Sequence, residues 1–577
     1  MREPSLSATP NADISPTERE PDPSNPTAFL WFPLRFSATS AFPPLIGPCR
    51  RKEDRPPLAR RARHPLSSAM PTPTSPTTFA IIGAGFSGTL TAIHLARLCA
   101  KGSDGGKGTR IILLDRSGRF GPGLAYSTDS PVHYLNVPAG NMSAFEDEPG
   151  HFLAWAQAHQ AARPGAFPTP TPPPTQPIVT GSFVPRGVYG EYLSELLETA
   201  QREQPGMIET IGAGAAAVRI AADGESGRSG AEISTTDGRT IRADRVVLAF
   251  GNALPAHPPH LSPELCGGAH AGYIASPWNT KAIAQIRPDE PVFIVGTGLT
   301  MVDIVMQLHA QGHAGHIIAL SRRGLLPRAH RSPSRPPTHR DPPAELKIGG
   351  VWKGDTRSLL RIIRAAVREH AARSAGGGGV GGDWRDVITS LRPITAHLWK
   401  TMSASERERF LVRLRSFWEV VRHRAAPESA AMIADLIAAR QLTIRAGRCM
   451  GFAANGQNPR LIDVRFRPRG SGNVQMMRVG RVINAMGPQT DIEAIDDPLI
   501  RQLRTDGLIT RDAFGTGIEC ADSGAVIGAG GEPSTALFAI GPMRKSQTWE
   551  NTAVPELKKQ AAQVAAAVVG SLVPVRR

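Results

Sequence analysis

Apolar residues in this chain fall in short unbroken runs separated by glycine turns, not in long amphipathic stripes. Phe79-Ala80-Ile81-Ile82, Ile111-Ile112-Leu113-Leu114, Val246-Val247-Leu248, Val292-Phe293-Ile294-Val295, Ile317-Ile318-Ala319-Leu320 and Leu537-Phe538-Ala539-Ile540 read as buried strands. From Thr77 the order is strand, glycine turn, helix, strand, which predicts a doubly wound α/β unit. A second unit opens at Val292 and repeats the order. Short strands with turns at Asp223-Gly224 and Asp237-Gly238 fill Gly212 to Val247, and another set fills Thr443 to Ile483. Each set ends in a matching phrase, Arg245-Val246-Val247-Leu248-Ala249-Phe250-Gly251 and Arg481-Val482-Ile483-Asn484-Ala485-Met486-Gly487. The terminal glycines, Gly251 and Gly487, let the backbone approach a ligand.

Other segments keep a helical period or none. Ser358 to Arg440 reads as amphipathic helices through Trp384, Leu391, Leu398, Trp399, Phe410, Leu414 and Trp418, interrupted by the run Gly376–Gly382. Residues 164–177 are Pro-rich and predict a surface excursion. Residues 1–76, rich in Pro, Ser, Thr and Arg, read as a disordered extension. Met70 lies just ahead of the first strand, so residues 1–69 are either a disordered tail or an overlong start. The expected organisation is two Rossmann-like domains, the second inserted into the first. Residues 77–265 form the first part of the outer domain, and 491–577 its C-terminal part. Residues 266–490 form the inserted domain, with a helical insertion at about 340–440.

The two glycine turns carry the chemistry. Gly83-x-Gly85-x-x-Gly88 follows a strand and opens a helix, so it permits a tight turn, close approach of a pyrophosphate and close helix packing. Asp115, at the end of the next strand, is expected to accept hydrogen bonds from ribose hydroxyls, although a Gly/Lys loop (Lys101 to Thr109) lengthens the gap. FAD fits this site because a further strand ends in Gly541, and Asn551-Thr552-Ala553-Val554-Pro555-Glu556 then reads as the start of a last helix. Such a helix, with Thr552 at its start, can turn its positive end toward the flavin. The second turn, Gly296-x-Gly298, has Met301 where a third glycine would stand. Its following strand ends in Ser321-Arg322-Arg323 rather than an acid, and Arg322 and Arg323 suit a 2′-phosphate. NADPH is therefore expected there in preference to NADH.

Composition narrows the class. Five widely spaced cysteines, with no C-x-x-C pair, favour reduced thiols in a cytoplasmic setting and weigh against a disulfide reductase. No metal-ligand spacing and no membrane-length apolar run appear in the sequence. The net charge of +16 is uneven: residues 322–424 hold 22 Lys+Arg against 9 Asp+Glu, a net of +13, and residues 1–69 carry a net of +3. The basic segment raises a nucleic-acid partner as an alternative, but it lacks interleaved exposed aromatics or a known binding motif.

The chain resembles a bacterial FAD/NAD(P)-binding flavoprotein family with two dinucleotide-binding domains, related to flavin monooxygenases and including an FAD-dependent urate hydroxylase. The resemblance rests on I-I-G-A-G-F-S-G at 81–88, G-P-G-L-A-Y-S at 121–127 and L-N-V-P-A-G-N-M-S at 135–143. It continues through V-G-T-G-L-T-M-V-D at 295–303, S-R-R-G-L-L-P at 321–327, R-H-R-A-A-P at 422–427 and A-V-P-E at 553–556. It implies FAD in the first domain, NAD(P)H in the second, and a small-molecule substrate, with a purine such as urate one candidate. Flavin N-monooxygenases carry F-x-G-x-x-x-H-S-x-x-Y between their domains. Here Leu265 to Tyr273 does not keep that spacing.

Candidate working residues follow from position. Asn136, Asn141, Met142 and Ser143 lie on a loop where flavoproteins place groups near the isoalloxazine; the alternative is a local Asx/Ser turn lattice. His423, between Arg422 and Arg424, is a candidate acid/base or anion anchor, against an ordinary structural histidine. These features together point to an FAD-dependent NAD(P)H oxidoreductase, with monooxygenation of a small molecule as its sharpest form. A redox-sensing protein that keeps the cofactor without turnover, or one that uses the basic segment to meet nucleic acid, is the alternative. Oligomeric state is not legible in the sequence.

Overall fold

The computed structural model describes residues 77–102, 105–163, 177–221, 230–268, 270–332, 339–375 and 382–572. The N-terminal extension, most of the Pro-rich excursion, the Asp223-Gly224 turn and nearly all of the run Gly376–Gly382 lie outside these residues.

The strands in chain order are β1 (Thr77–Ile82), β2 (Thr109–Leu114), β3 (Ile208–Ile211), β4 (Ala215–Ala221), β5 (Gly230–Thr235), β6 (Thr240–Ala243), β7 (Arg245–Leu248) and β8 (Tyr273–Ile274). They continue with β9 (Val292–Val295), β10 (Ile317–Ser321), β11 (Leu442–Ala454), β12 (Ile462–Pro468), β13 (Gln475–Val479), β14 (Arg481–Asn484), β15 (Ala525–Ile527) and β16 (Pro533–Ala539). One sheet has the order β15-β16-β7-β1-β2-β3, and a second has β13-β12-β11-β10-β9-β14-β8. The second is built wholly from residues between 273 and 484, so it interrupts the chain that forms the first. In each, the opening strand (β1 or β9) pairs in parallel with the next strand on one side and the matching closing phrase (β7 or β14) on the other. That is a topological switch point, where ligands bind beyond the carboxyl ends of the strands.

The unbroken apolar runs are explained by burial on both faces. Phe79 and Ile81 of β1 pack on one side with Ile111 and Leu113, under the helices Phe86–Ala100, Arg186–Glu203 and Val554–Gly570. Ala80 and Ile82 pack on the other side with Val218, Ile233 and Ile241 of the antiparallel sheet β4-β5-β6. The second sheet divides in the same way. Val292 and Ile294 face the helices Leu299–Ala310 and Pro427–Ala438, while Phe293 and Val295 face Phe452, Val464 and Phe466.

The segment between β10 and β11 has its own core. Leu346, Trp352, Leu359, Val387, Leu391, Leu398, Trp399, Phe410 and Leu414 cluster with Trp549 from the C-terminal part of the first unit. Trp399 and Trp549 stack at 5.0 Å. The aromatic positions of this segment are therefore packing residues. Its cations are heavily paired: Arg331, Arg340, Lys347, Arg373, Arg385, Arg392, Lys400, Arg409, Arg415 and Arg422 each meet a carboxylate. Among the described residues no helix is long and apolar enough to cross a membrane, and no cluster of His, Cys, Asp and Glu could hold a metal ion.

One buried ion pair ties the two units together. Arg186, at the start of its helix, reaches Asp303 of the helix Leu299–Ala310 at 2.7 Å, and both side chains are only 12% exposed. Removing one partner strands a buried charge, at a cost of roughly 3–5 kcal/mol. Asp303→Ala is thus expected to lower the urea midpoint strongly. The double variant Arg186→Met/Asp303→Leu should lose much less than the sum of the two single changes.

Candidate functional site

The first glycine turn is shaped by contact as much as by conformation. Gly83 has φ +107°, and a Cβ there would collide with the carbonyl oxygen of Ala249. A Cβ on Gly88 would strike the carbonyl of Gly83 and the Ile81 side chain. Gly85 caps the helix Phe86–Ala100 with no side-chain cap and no acid in its first turn, so the N–H groups at that end can receive an anion. Asp115 extends β2, but its carboxylate turns inward. It accepts from the Ala84 N–H at 2.9 Å and from the Ser117 N–H and hydroxyl at 2.9 and 2.6 Å. It therefore braces the turn, a role that the sequence reading as a ribose acceptor did not include.

Sequence reasoning also missed how the segment Gly121-Pro122-Gly123 is used. Gly121 (φ +106°) lies against the Ser194 backbone, and Gly123 (φ +55°) lies against Gly85. The two glycines of G-P-G are thus the signal of a loop laid directly on the turn. Gly251 (φ +69°) and Gly541 (φ +94°) follow β7 and β16 at the same edge as Gly83.

The second turn repeats the contact. Gly296 has φ +123°, and a Cβ would collide with the Ala485 carbonyl, as Gly83 would with Ala249. Gly298 caps the next helix without a side chain or a first-turn acid, and Gly487 (φ +88°) ends the closing phrase. Met301 is fully buried in the core beneath. The Thr297 hydroxyl donates to Ser321 Oγ at 2.8 Å and approaches the Leu325 carbonyl at 2.6 Å, which fixes the start of the arginine pair. Arg322 is exposed, and Arg323 lies over the Phe417 ring at 4.7 Å. Desolvation, then Arg469, Arg322 and Arg413, lower the Arg323 pKa. Arg413 comes from the helical segment and Arg469 from the β12–β13 turn, and neither was singled out from the sequence.

The loop 134–143 presents fewer free groups than expected. Ser143 is fully buried, and its hydroxyl meets the carbonyls of Glu148 at 2.6 Å and Phe145 at 3.1 Å. It is a turn residue, which corrects its candidacy for catalysis. Met142 is also buried, its carbonyl accepting from the Tyr189 hydroxyl at 2.9 Å, so its side chain is core. Asn141 is exposed at the end of a short 3-10 turn. Asn136 is half-buried, and its carbonyl lies 2.9 Å from His330 Nε2.

Two basic phrases meet beside that loop. Ala329 and Ala425 form a parallel bridge, with Arg328 N–H on Val420 O, Ala425 N–H on Arg328 O and His330 N–H on Ala425 O, all at 2.9 Å. Desolvation, then Arg422, Lys545, Arg392 and Arg415, push His423 down to about 3. Desolvation and Arg424 do the same to His330. Burial and the surrounding cations hold both imidazoles toward the neutral form, which suits His423 to a hydrogen-bonding role and disfavours a charged anion anchor.

The last helix starts at Val554, later than the sequence suggested, and Thr552 is exposed ahead of it. Asn551 is the ordered group there. It is fully buried, its Nδ2 donates to the Gly541 carbonyl at 2.8 Å, and its Oδ1 has no partner. Glu556 in the helix's first turn pairs with Arg392 and with Arg422 at 3.3 Å, and Arg422 also meets Glu550 at 2.5 Å. A separate groove of about 1010 Å³ runs along the helix Arg186–Glu203, bordered by Arg119, Tyr126, Trp155 and Glu191. Its lining includes Phe120 and Pro122, from the loop that is laid on the first turn.

Residues 80–253 match the family described as FAD-NAD(P)-binding. Uncharacterised proteins of Mycobacterium bovis and Mycobacterium tuberculosis are 22% identical over 541 residues, covering 87% of this chain and 97% of theirs. Among solved structures, an ornithine hydroxylase of Pseudomonas aeruginosa superposes with a TM-score of 0.56 at 13% identity, covering 87% of this chain and 100% of that one. An L-lysine 6-monooxygenase of Pseudomonas syringae gives 0.55 at 14%, covering 86% and 99%. An ornithine N-hydroxylase of Kutzneria, described with FAD, NADP⁺ and L-ornithine, gives 0.54 at 12%, covering 86% and 100%. The chain thus carries an FAD-NAD(P)-binding domain within a fold shared with these monooxygenases.

The two histidines set a pH dependence. Each takes up a proton near pH 6.5 when unfolded but only near pH 3 when folded, so acid favours the unfolded chain. Stability is expected to fall by roughly 1–2 kcal/mol per histidine between pH 6.5 and 5. Urea midpoints measured at pH 7 and 5 should show that loss, and a His330→Gln variant should show less of it.

Proposed function

We propose that this chain is an FAD-dependent NAD(P)H oxidoreductase acting on a small-molecule substrate, most specifically a monooxygenase. The observation that carries it is the duplicated cradle: Gly83 against Ala249 and Gly296 against Ala485, each followed by a helix whose first turn lacks an acid. The residues present fit FAD at the first turn. The helix start at Gly85 has neither a side-chain cap nor a first-turn acid, open space stands where a Cβ on Gly251 would be, and the buried Asn551 Oδ1 beside Gly541 has no partner. In this reading Gly83, Gly85 and Gly88 receive the pyrophosphate, and Asp115 braces the turn and meets the ribose. Gly251, Gly541 and the segment from Asn551 through Thr552 border the flavin, with Asn136 on its other side. FAD bound there would accept hydride from NAD(P)H and make the electrons available to oxygen or an organic acceptor.

At the second turn Gly296 and Gly298 receive the donor's pyrophosphate, Gly487 leaves room for its nicotinamide half, and Arg322 and Arg323 receive a 2′-phosphate. Arg413 and Arg469 complete that cluster, and among the described residues none of the four makes an ion pair. This favours NADPH. We take residues 77–265 with 491–577 as the flavin domain, 266–490 as the donor domain, and the cytoplasm as the setting. Among the described residues Cys266, Cys449 and Cys520 are free thiols, in keeping with that setting. Urate remains a candidate only through family resemblance, since no contact selects a purine. The stretch Leu265 to Tyr273 supplies a short helical turn and β8, with the Tyr273 hydroxyl 2.9 Å from His257 Nδ1. Leu265 and Tyr273 are both buried in packing.

Anaerobic mixing with NADPH should bleach the flavin absorbance; a flavin that stays oxidised sinks the proposal. Hydroxylated product equal to NADPH consumed identifies a monooxygenase, whereas peroxide in that amount identifies an oxidase. Arg323→Gln or Arg469→Gln should raise the KM for NADPH about 10–100-fold, the worth of one or two charge-assisted bonds, and leave that for NADH nearly unchanged.

A further inference from the structure

We propose that the paired segments 328–331 and 420–425 form the binding site for the substrate's anionic group, and that the substrate is an organic acid whose carboxylate is received by the Arg424 guanidinium. This rests on the flavin reading above and adds the chemical class of the substrate.

The argument begins from charge pairing. Three cations gather where the helix Trp384–Ser390 meets the bridged strands: Arg331, Arg385 and Arg424. Two carboxylates, Asp383 and Asp386, lie near them, and both are taken up by Arg331, Arg385 and His370. Asp383 accepts from Arg331 at 3.1 Å and Arg385 at 2.7 Å, and it caps its own helix. Asp386 accepts from Arg331 at 2.6 Å and meets His370 at 2.9 Å. Arg424 is 8% exposed, yet its hydrogen bond is to the Thr389 hydroxyl at 3.0 Å and its Nε has no partner. Among the described residues no carboxylate lies within ion-pair distance of it. Desolvation, then Arg422 and Arg385, hold it down at about 9. The next cation along the strand, Arg422, is served by Glu550 and Glu556. A buried guanidinium left without a counter-charge among such paired neighbours is a receptor for a ligand's charge.

The position suits a substrate. His330, from the bridged strand, contacts the carbonyl of Asn136 on the loop that borders the flavin. His330, held toward its neutral form by burial and Arg424, spends its Nε2–H on that carbonyl, so it ties the strand to the loop and leaves the anion's charge to the guanidinium. Aromatic groups line the same place. Trp384 lies 5.9 Å from the Arg424 guanidinium, and Phe183 lies 5.0 Å from the His330 ring. A planar fork between flat rings matches a carboxylate on a flat or apolar body. Cofactor phosphates are accounted for elsewhere, at the two glycine turns and the Arg322 cluster.

Benzoate, titrated into the flavin-loaded full-length protein, tests this, with inorganic sulfate as the comparison. The expected result is a saturable shift of the flavin absorption spectrum by benzoate, with binding heat by calorimetry, and an affinity at least tenfold weaker in Arg424→Met. Unchanged benzoate affinity in Arg424→Met overturns the proposal, as does the absence of saturable binding to the wild type. Sulfate binding as tightly as benzoate also overturns it, since the site would then be one for inorganic anions. If Arg424→Met does not fold, Arg424→Lys carries the test: it keeps the charge but loses the fork, so weakened benzoate binding supports the proposal and unchanged binding overturns it. Failure of NADPH to bleach the wild-type flavin would sink the redox reading alone, because calorimetry reads the anion site independently.

Discussion

Everything in this fold is arranged around a backbone contact made twice: a glycine at positive φ pressed against an alanine carbonyl from the neighbouring parallel strand. Gly83 meets Ala249, and Gly296 meets Ala485. No other residue fits either place, because a Cβ would overlap the carbonyl and the φ values of +107° and +123° are strained for an L side chain. The contact sends the chain sharply from strand into helix, so the helix N-terminus opens beside the carboxyl ends of several strands. The third position shows how far the requirement extends. At Gly88 a side chain would strike the turn itself, whereas the Met301 side chain is absorbed into the core with Ile283, Ile304 and Ile433. Two glycines are thus obligatory for the turn, and the third depends on how the helix packs.

The strands, both turns and the inserted order of the units were legible because each has a local signature. Runs buried on both faces carry no alternation, and a glycine between strand and helix has few other uses. What the sequence hid was partnership across distance. Arg186 with Asp303, Arg392 with Glu556 and Trp399 with Trp549 join residues 117, 164 and 150 positions apart, and nothing local marks them as pairs. Side-chain direction was equally hidden. Ser143 was read as facing a ligand, yet it is consumed in its own turn, and Asp115, read as a ribose acceptor, also grips Ala84 and Ser117. Short polar side chains satisfy nearby backbone groups whenever a turn brings them within reach. The same competition explains why Thr552 sits outside the last helix while Asn551, one residue earlier, holds the Gly541 carbonyl.

The basic segment changes meaning once its contacts are known. A net of +13 in the sequence suggests a long-range field, but most of these arginines are spent locally on carboxylates, backbone carbonyls or aromatic rings. Local pairing of this kind serves packing and register more than attraction at a distance. The cations without carboxylates are therefore the informative ones. Two of them matter for ligands: the cluster around Arg323, beside the second turn, and the buried Arg424, beside the loop of Asn136.

The helical segment also limits how the two units move. It grows from the second unit between β10 and β11, yet its core includes Trp549, and Arg392 and Arg422 bind Glu550 and Glu556 of the first unit. Trp549 is held at φ +61°, a strained conformation for a tryptophan, within rings contributed by Trp399, Phe410 and Phe514. On another face, Arg186 and Asp303 clamp the same two units through a pair with little solvent around it. A rotation of one unit on the other would have to break a buried ion pair at one place and an aromatic cluster at the other. Either loss is expensive in an interior that packs like a solid. The two glycine turns are thereby held at a set separation.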